Sequence, residues 1–156
     1  MAYEPTDAEL VHLNRCVELA AEALDTGDEP FGSVLVSASG DGLFEGRNRT
    51  AGGDQTRHPE FEIARWAAAN LSEEERAAAT VFTSGEHCPM CAAAHGWVGL
   101  GRIVYAHSSA QLTQWRTELG VPPGPVAPLP AQQVAPNAPV DGPVPALEST
   151  MRALHA

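Results

Sequence analysis

Two short runs limit the fold more than anything else in the chain. His58-Pro59-Glu60 and Cys88-Pro89-Met90-Cys91 each set a metal-competent side chain directly before a proline. Proline suits the first turn of a helix, where its missing N–H would have no partner. Behind the first run, Ile63, Ala64, Trp66, Ala67 and Leu71 continue an apolar helical face, and behind the second come Ala92, Ala93, Ala94 and Trp97. Both clusters are therefore expected at helix N-termini. The second follows directly on a predicted strand, Thr80-Val81-Phe82-Thr83.

The rest of the chain supplies alternating partners for these elements. Thr6 and Glu9 form a capping box ahead of Leu10, Leu13, Val17, Ala20 and Leu24, an amphipathic helix that stops at Thr26-Gly27-Asp28. After Pro30, the β-rich run Phe31 to Val36, the turn Ser39-Gly40-Asp41-Gly42 and a second run from Leu43 to Asn48 read as a hairpin. Residues 49–57 lack apolar periodicity and read as a loop leading to His58. A short acidic helix from Ser72, a strand Ile103-Val104-Tyr105-Ala106 and a helix from Ser109 to Leu119 complete an order consistent with an α/β sandwich. Composition then changes: nine of the 13 prolines fall between Val121 and Pro145. So many prolines are expected to forbid regular structure, leaving an extended strap or a mobile arm. Residues 1–120 are thus expected to form the main domain, with 121–156 a Pro-rich strap ending in a short helix from Ala146 to Ala156.

Twenty acidic residues against nine basic ones give a net charge of −11. That field disfavours a phosphate backbone unless a local basic patch overcomes it, so nucleic-acid binding is not expected. No apolar run approaches the length of a membrane span, and Met1-Ala2-Tyr3-Glu4 lacks the features of a signal peptide. A cytoplasmic protein is the expectation. Three cysteines are too few, and odd in number, for a disulfide framework.

One imidazole and two thiolates are ligands that zinc selects, and His58, Cys88 and Cys91 as a set leave its fourth position open for catalysis. Glu60 follows His58 by two residues, close enough to serve as a proton shuttle without being a ligand. Cys16 falls on the apolar face of the first helix and reads as a buried thiol. A structural zinc pair or a dithiol redox pair remain possible readings of Cys88 and Cys91, although a redox pair gives His58 and Glu60 no role.

From about Phe31 to Ala106 the chain resembles the cytidine deaminase-like superfamily of zinc deaminases, above all its branch with guanine deaminase and the tRNA adenosine deaminases. The resemblance rests on Pro30-Phe31-Gly32-Ser33-Val34-Leu35-Val36, Asn48, His58-Pro59-Glu60, Thr83-Ser84-Gly85-Glu86 with Cys88-Pro89-Met90-Cys91, and Gly101-Arg102-Ile103-Val104-Tyr105. It implies an α-β-α sandwich around a five-stranded mixed sheet. It also implies Zn2+ held by His58, Cys88 and Cys91, Glu60 as base and then acid, and Asn48 hydrogen-bonded to the edge of the substrate ring. Phe31 and Trp97 are candidate walls for a planar ring. Two positions depart from the pattern: Pro59, where the family usually has a small apolar residue, and His87, where it normally has proline. His87 is read as an exposed loop residue, or as a contact to the substrate or to the groups that support the metal ligands.

These features point to a hydrolytic deaminase of a free purine base or related amino-heterocycle, guanine first, with a homodimer expected as in the superfamily. A tRNA adenosine deaminase and a non-catalytic zinc-binding module are the rival expectations.

Overall fold

The computed structural model describes residues 3–156. Met1 and Ala2, the start of the tetrapeptide considered above, lie outside the described residues.

Thr6 caps helix α1 (Asp7–Asp25) by the expected box with Glu9. Strands β1 (Gly32–Val36) and β2 (Gly42–Arg47) form the hairpin. A single 3-10 turn, Thr50–Gly52, interrupts the loop that leads to α2 (Pro59–Asn70). Then come α3 (Glu73–Ala78), β3 (Thr80–Gly85), α4 (Pro89–Trp97), β4 (Arg102–His107) and α5 (Ser109–Glu118). The sheet order is β2-β1-β3-β4-β5, with β1 antiparallel to both neighbours and β3, β4 and β5 mutually parallel. It is an α/β fold with a five-stranded mixed sheet between helical layers.

Period-two alternation sorts the strand residues between the layers. Val34, Val36, Phe82 and Val104 pack with Leu13, Cys16 and Leu19 of α1, whereas Leu35 and Val81 pack with Ile63, Ala64 and Ala67 of α2. Cys16 is fully buried in the first cluster, and burial pushes its thiol pKa up. The α1 layer sits unusually close to the sheet. A Cβ on Gly32 would lie 2.4 Å from Leu19 Cβ and 2.5 Å from the Cys16 carbonyl oxygen, so only glycine fits there.

The Pro-rich segment differs from expectation. It contains regular structure: a helical turn α6 (Ala131–Val134) and the strand β5 (Val140–Asp141), which supplies the fifth strand of the sheet. Its prolines flank these elements rather than occupy them. Pro139 contributes only its carbonyl, which accepts from the Ile103 N–H at 2.8 Å, and needs no N–H at an edge position. The chain then returns through a 3-10 turn at Pro145–Leu147 into α7 (Glu148–Leu154), whose Met151 packs with Ala20, Ala106 and Trp115.

Candidate active site

His58 and Cys88 are the N-cap residues of α2 and α4, each with an extended backbone and proline next. N-cap side chains ordinarily bond to the helix N–H groups behind them. Neither does so here, which leaves an imidazole and a sulfur pointing away from their helices. Cys91, in the first turn of α4, completes a triangle: Cys88 Sγ to His58 Nδ1 3.5 Å, Cys91 Sγ to His58 Nδ1 3.6 Å and Cys88 Sγ to Cys91 Sγ 3.5 Å. Tetrahedral zinc with ordinary Zn–S and Zn–N bonds demands ligand–ligand edges of about 3.6 to 3.8 Å. The three atoms thus stand where one such ion would hold them, and they are the group of three metal-competent side chains found among the described residues.

Their protonation fits a metal centre. A hydrogen bond from Cys91 and the neighbouring imidazole bring the Cys88 thiol down to about 4, while Cys91, giving that hydrogen bond and buried, is held well above its usual value. His58 is raised, chiefly by its hydrogen bond to Cys88. One thiolate is therefore ready before a metal arrives, and a dication favours loss of the second proton. The positive ends of α2 and α4 favour the same negative charge.

Glu60 lies two residues, little more than half a helical turn, from His58 and is 5% exposed. Its Oε1 is 2.8 Å from Thr83 Oγ1 on β3 and 2.9 Å from Ser33 Oγ on β1, and the two hydroxyls are 2.8 Å from each other. Burial raises the Glu60 pKa, opposed by these hydroxyls. A carboxyl that holds its proton more readily than a solvated one suits a group that must both take and give protons. Glu62, two residues on, points elsewhere and pairs with Arg57 at 3.1 Å.

His58, Glu60 and Cys88 open onto a cavity of about 560 Å³. Phe31 forms one wall, Leu112 and Thr113 of α5 another, and Pro125, Val126 and Pro128 of the Pro-rich segment a third. Phe31 is itself supported from behind by the rings of His107 and His155, at centroid distances of 6.2 and 5.1 Å. Arg116 also lines the cavity and is paired with Glu29 at 3.1 Å.

Of the residues expected to contact substrate, Phe31 lines the cavity. Asn48 is buried next to it and is not a lining residue; its N–H bonds the Phe31 carbonyl and its Oδ1 has no partner. Two expectations need correction. Trp97 is 90% exposed at the far end of α4, beside a separate surface depression with Leu100 and Ala135, and forms no wall of the metal cavity. About two turns of helix separate it from the ligands at the N-terminus. His87 is neither an exposed loop residue nor a cavity residue: it is 1% exposed and packs edge-on against His95, 5.3 Å away. Extended backbone alternates, so with Glu86 facing the cavity its neighbour faces inward. Glu86, Glu29, Gln55, Ser109, Leu112 and Arg116 are lining residues that sequence reasoning missed. The spacing of Leu112 and Arg116, one helical turn apart, and the place of Glu86 two residues before Cys88 were the available signals.

Comparison with known proteins agrees with this geometry. Residues 7–107 match the family described as the cytidine and deoxycytidylate deaminase zinc-binding region. The chain is 28% identical over 117 residues to a probable cytosine deaminase of Schizosaccharomyces pombe, covering 75% of this chain and 71% of that protein. It is 36% identical over 96 residues to a guanine deaminase of Bacillus subtilis, covering 60% and 61%, and 33% identical over 100 residues to a tRNA-specific adenosine deaminase of Agrobacterium fabrum, covering 63% and 65%. The match thus spans less than two thirds of the length of these last two relatives. The solved structure of guanine deaminase from Nitrosomonas europaea shares the fold, with a TM-score of 0.69 at 19% identity, covering 99% of this chain and 84% of that one. With the ligand triangle in place and the family matched over both halves of it, this chain belongs to the zinc-binding cytidine and deoxycytidylate deaminase family.

Proposed function

We propose that the protein hydrolyses the exocyclic amine of a small planar amino-heterocycle, guanine first, to a carbonyl with release of ammonia. The observation that carries this reading is that His58, Cys88 and Glu60 open onto a concave, largely apolar cavity walled in part by the strap rather than onto a basic groove. Small-molecule sites have this character: concave, apolar-walled, with a few convergent polar groups.

The zinc ion suited to His58, Cys88 and Cys91 supplies the Lewis acidity that makes water nucleophilic near neutral pH. Glu60 takes a proton from the attacking water and delivers it to the ring nitrogen beside the amine-bearing carbon. It takes the second proton of that water as the new C–O bond becomes a carbonyl, and gives it to the departing amine, so that one water enters and one ammonia leaves. Ser33 and Thr83 hold the Glu60 carboxyl between these positions. Phe31 offers a face for the ring, and Asn48 Oδ1, a buried acceptor without a partner, suits an N–H on the ring edge.

A tRNA substrate is the second reading, favoured by the similarity to a tRNA-specific deaminase. Charge argues against it. All nine basic residues are arginine, and Arg15, Arg47, Arg57, Arg102, Arg116 and Arg152 each face a carboxylate. Few cations are left for phosphates. The deciding experiment is ammonia release from guanine, adenine, cytosine, their nucleosides and a tRNA anticodon stem-loop. Turnover of a free base supports the first reading, turnover of the stem-loop alone supports the second, and no turnover of anything by zinc-loaded protein leaves a non-catalytic zinc module.

A homodimer accompanies this reading, supported by the exposed Trp97 beside Leu100 and Ala135. Sedimentation at micromolar concentration tests it, and a mass of 16.4 kDa would count against it.

A further inference from the structure

Glu86 follows directly on β3, its N–H bonded to the His107 carbonyl of β4 at 2.9 Å. Its carboxylate joins two distant parts of the chain. Oε1 accepts from the Ser109 N–H at 2.9 Å and Oε2 from the Ala131 N–H at 2.7 Å. Ser109 begins α5, which carries Leu112, Thr113 and Arg116 along one side of the cavity. Ala131 ends the run in which Gly124, Pro125, Val126 and Pro128 line the other. One side chain therefore fixes the spacing of two cavity walls.

The strap has few other means of attachment. Residues 121–130 are all exposed, and five of them are prolines, which have no N–H to donate. Among the described residues, no other side chain hydrogen-bonds to the backbone of residues 121–131, whose remaining backbone bonds run within the strap or to the end of α5. Proline restricts the unbound chain as well as the bound one, so little conformational entropy is lost when a single carboxylate fastens its end.

We propose that Glu86 is a positioning residue that sets both substrate affinity and substrate size by clasping the Pro-rich strap to α5 as the roof of the cavity. This rests on the deaminase reading above. A clasped roof leaves room for a bare ring, and a released one admits a ring carrying a sugar. Glu86 lines the cavity, but both its carboxylate oxygens are taken up by the Ser109 and Ala131 N–H groups, so its loss acts through the roof.

The test compares Glu86→Ala and Glu86→Gln with the parent protein, each checked for zinc content and folding. With guanine as probe, the alanine variant is expected to raise KM about tenfold or more while kcat changes less than about threefold, a loss of binding rather than of chemistry. The ratio of guanosine to guanine turnover is expected to rise. Glu86→Gln keeps one acceptor oxygen at the same reach and should fall between, and it carries the test if the alanine variant fails to fold. Amide exchange across residues 121–135 is expected to quicken in the same order. Unchanged exchange overturns the proposal, as does a fall in kcat alone with KM and the nucleoside ratio unmoved. Absence of ammonia release by the parent protein overturns the deaminase reading instead, and the exchange measurement then still decides the clasp.

Discussion

Thr83 Oγ1 lies 2.8 Å from Glu60 Oε1, tying the buried carboxyl on α2 to the central strand β3. Thr83→Val keeps the shape of the side chain and removes this bond. The variant should retain zinc and fold, and its kcat should drop by about tenfold because the shuttle loses its orientation, in keeping with one hydrogen bond to a charged group. Unchanged turnover with guanine or whichever heterocycle is the substrate would show that Ser33 alone positions Glu60.

Glu60→Gln removes the shuttle and leaves the ligands untouched. Zinc content by atomic absorption should be unchanged, while ammonia release should fall by about 10² to 10⁴ or more. Glu62→Gln, whose parent side chain pairs with Arg57, should keep most activity. Near-normal turnover by the Glu60 variant would refute the mechanism.

Burial lowers the pKa of His107 to about 4 and of His155 to about 3, with the Arg116 charge and, for His155, the His107 ring adding to the effect. Their Nε2 atoms are buried without partners, so folding favours the neutral rings. The unfolded chain takes up these protons near pH 6.5 and the native protein only near 4 and 3, so stability falls as pH drops below 6.5 and the loss levels off below those values. Urea midpoints should decline from pH 7 toward pH 4, a change on the order of 6 kcal/mol for the pair, about half from each ring. His155→Phe should make that decline shallower. An equal slope in the variant would show that other groups carry it.

Gly32→Ala should destabilise by about 3 kcal/mol, since the added Cβ meets the Leu19 side chain and the Cys16 carbonyl with no space to yield. Thermal unfolding checks this, with a fall of about 10 °C expected for a chain of this length.

The metal centre was legible in the sequence because ligand chemistry, proline and helix periodicity all fall within a few residues of one another at His58 and at Cys88. The four long strands were legible for the same reason: β-rich runs bounded by turns are local. The roof was not. Nothing in the local pattern of Pro122 to Pro130 encodes that Ala131 meets Glu86, 45 positions away, and β5 is two residues held by the register of β4 rather than by its own propensity. Trp97 was misplaced as a ring wall because the sequence shows an aromatic on the helix that carries the cysteines but not that it stands at the opposite end of that helix, in solvent. His87 was misplaced because which side of the chain faces the metal depends on the strand before it.

The brevity of β5 also bears on how this protein behaves at high concentration. A parallel sheet that stops at an open strand offers a row of N–H and C=O groups on which another chain can assemble. On the parallel side of the sheet the outermost strand is only Val140 and Asp141, set between Pro139 and Gly142-Pro143, with the Asp141 carboxylate pairing with Arg102 at 2.8 Å. An incoming strand would find no N–H on either proline and a charge between them. The same proline enrichment that lines the cavity thus guards the β5 margin of the sheet against the addition of another strand.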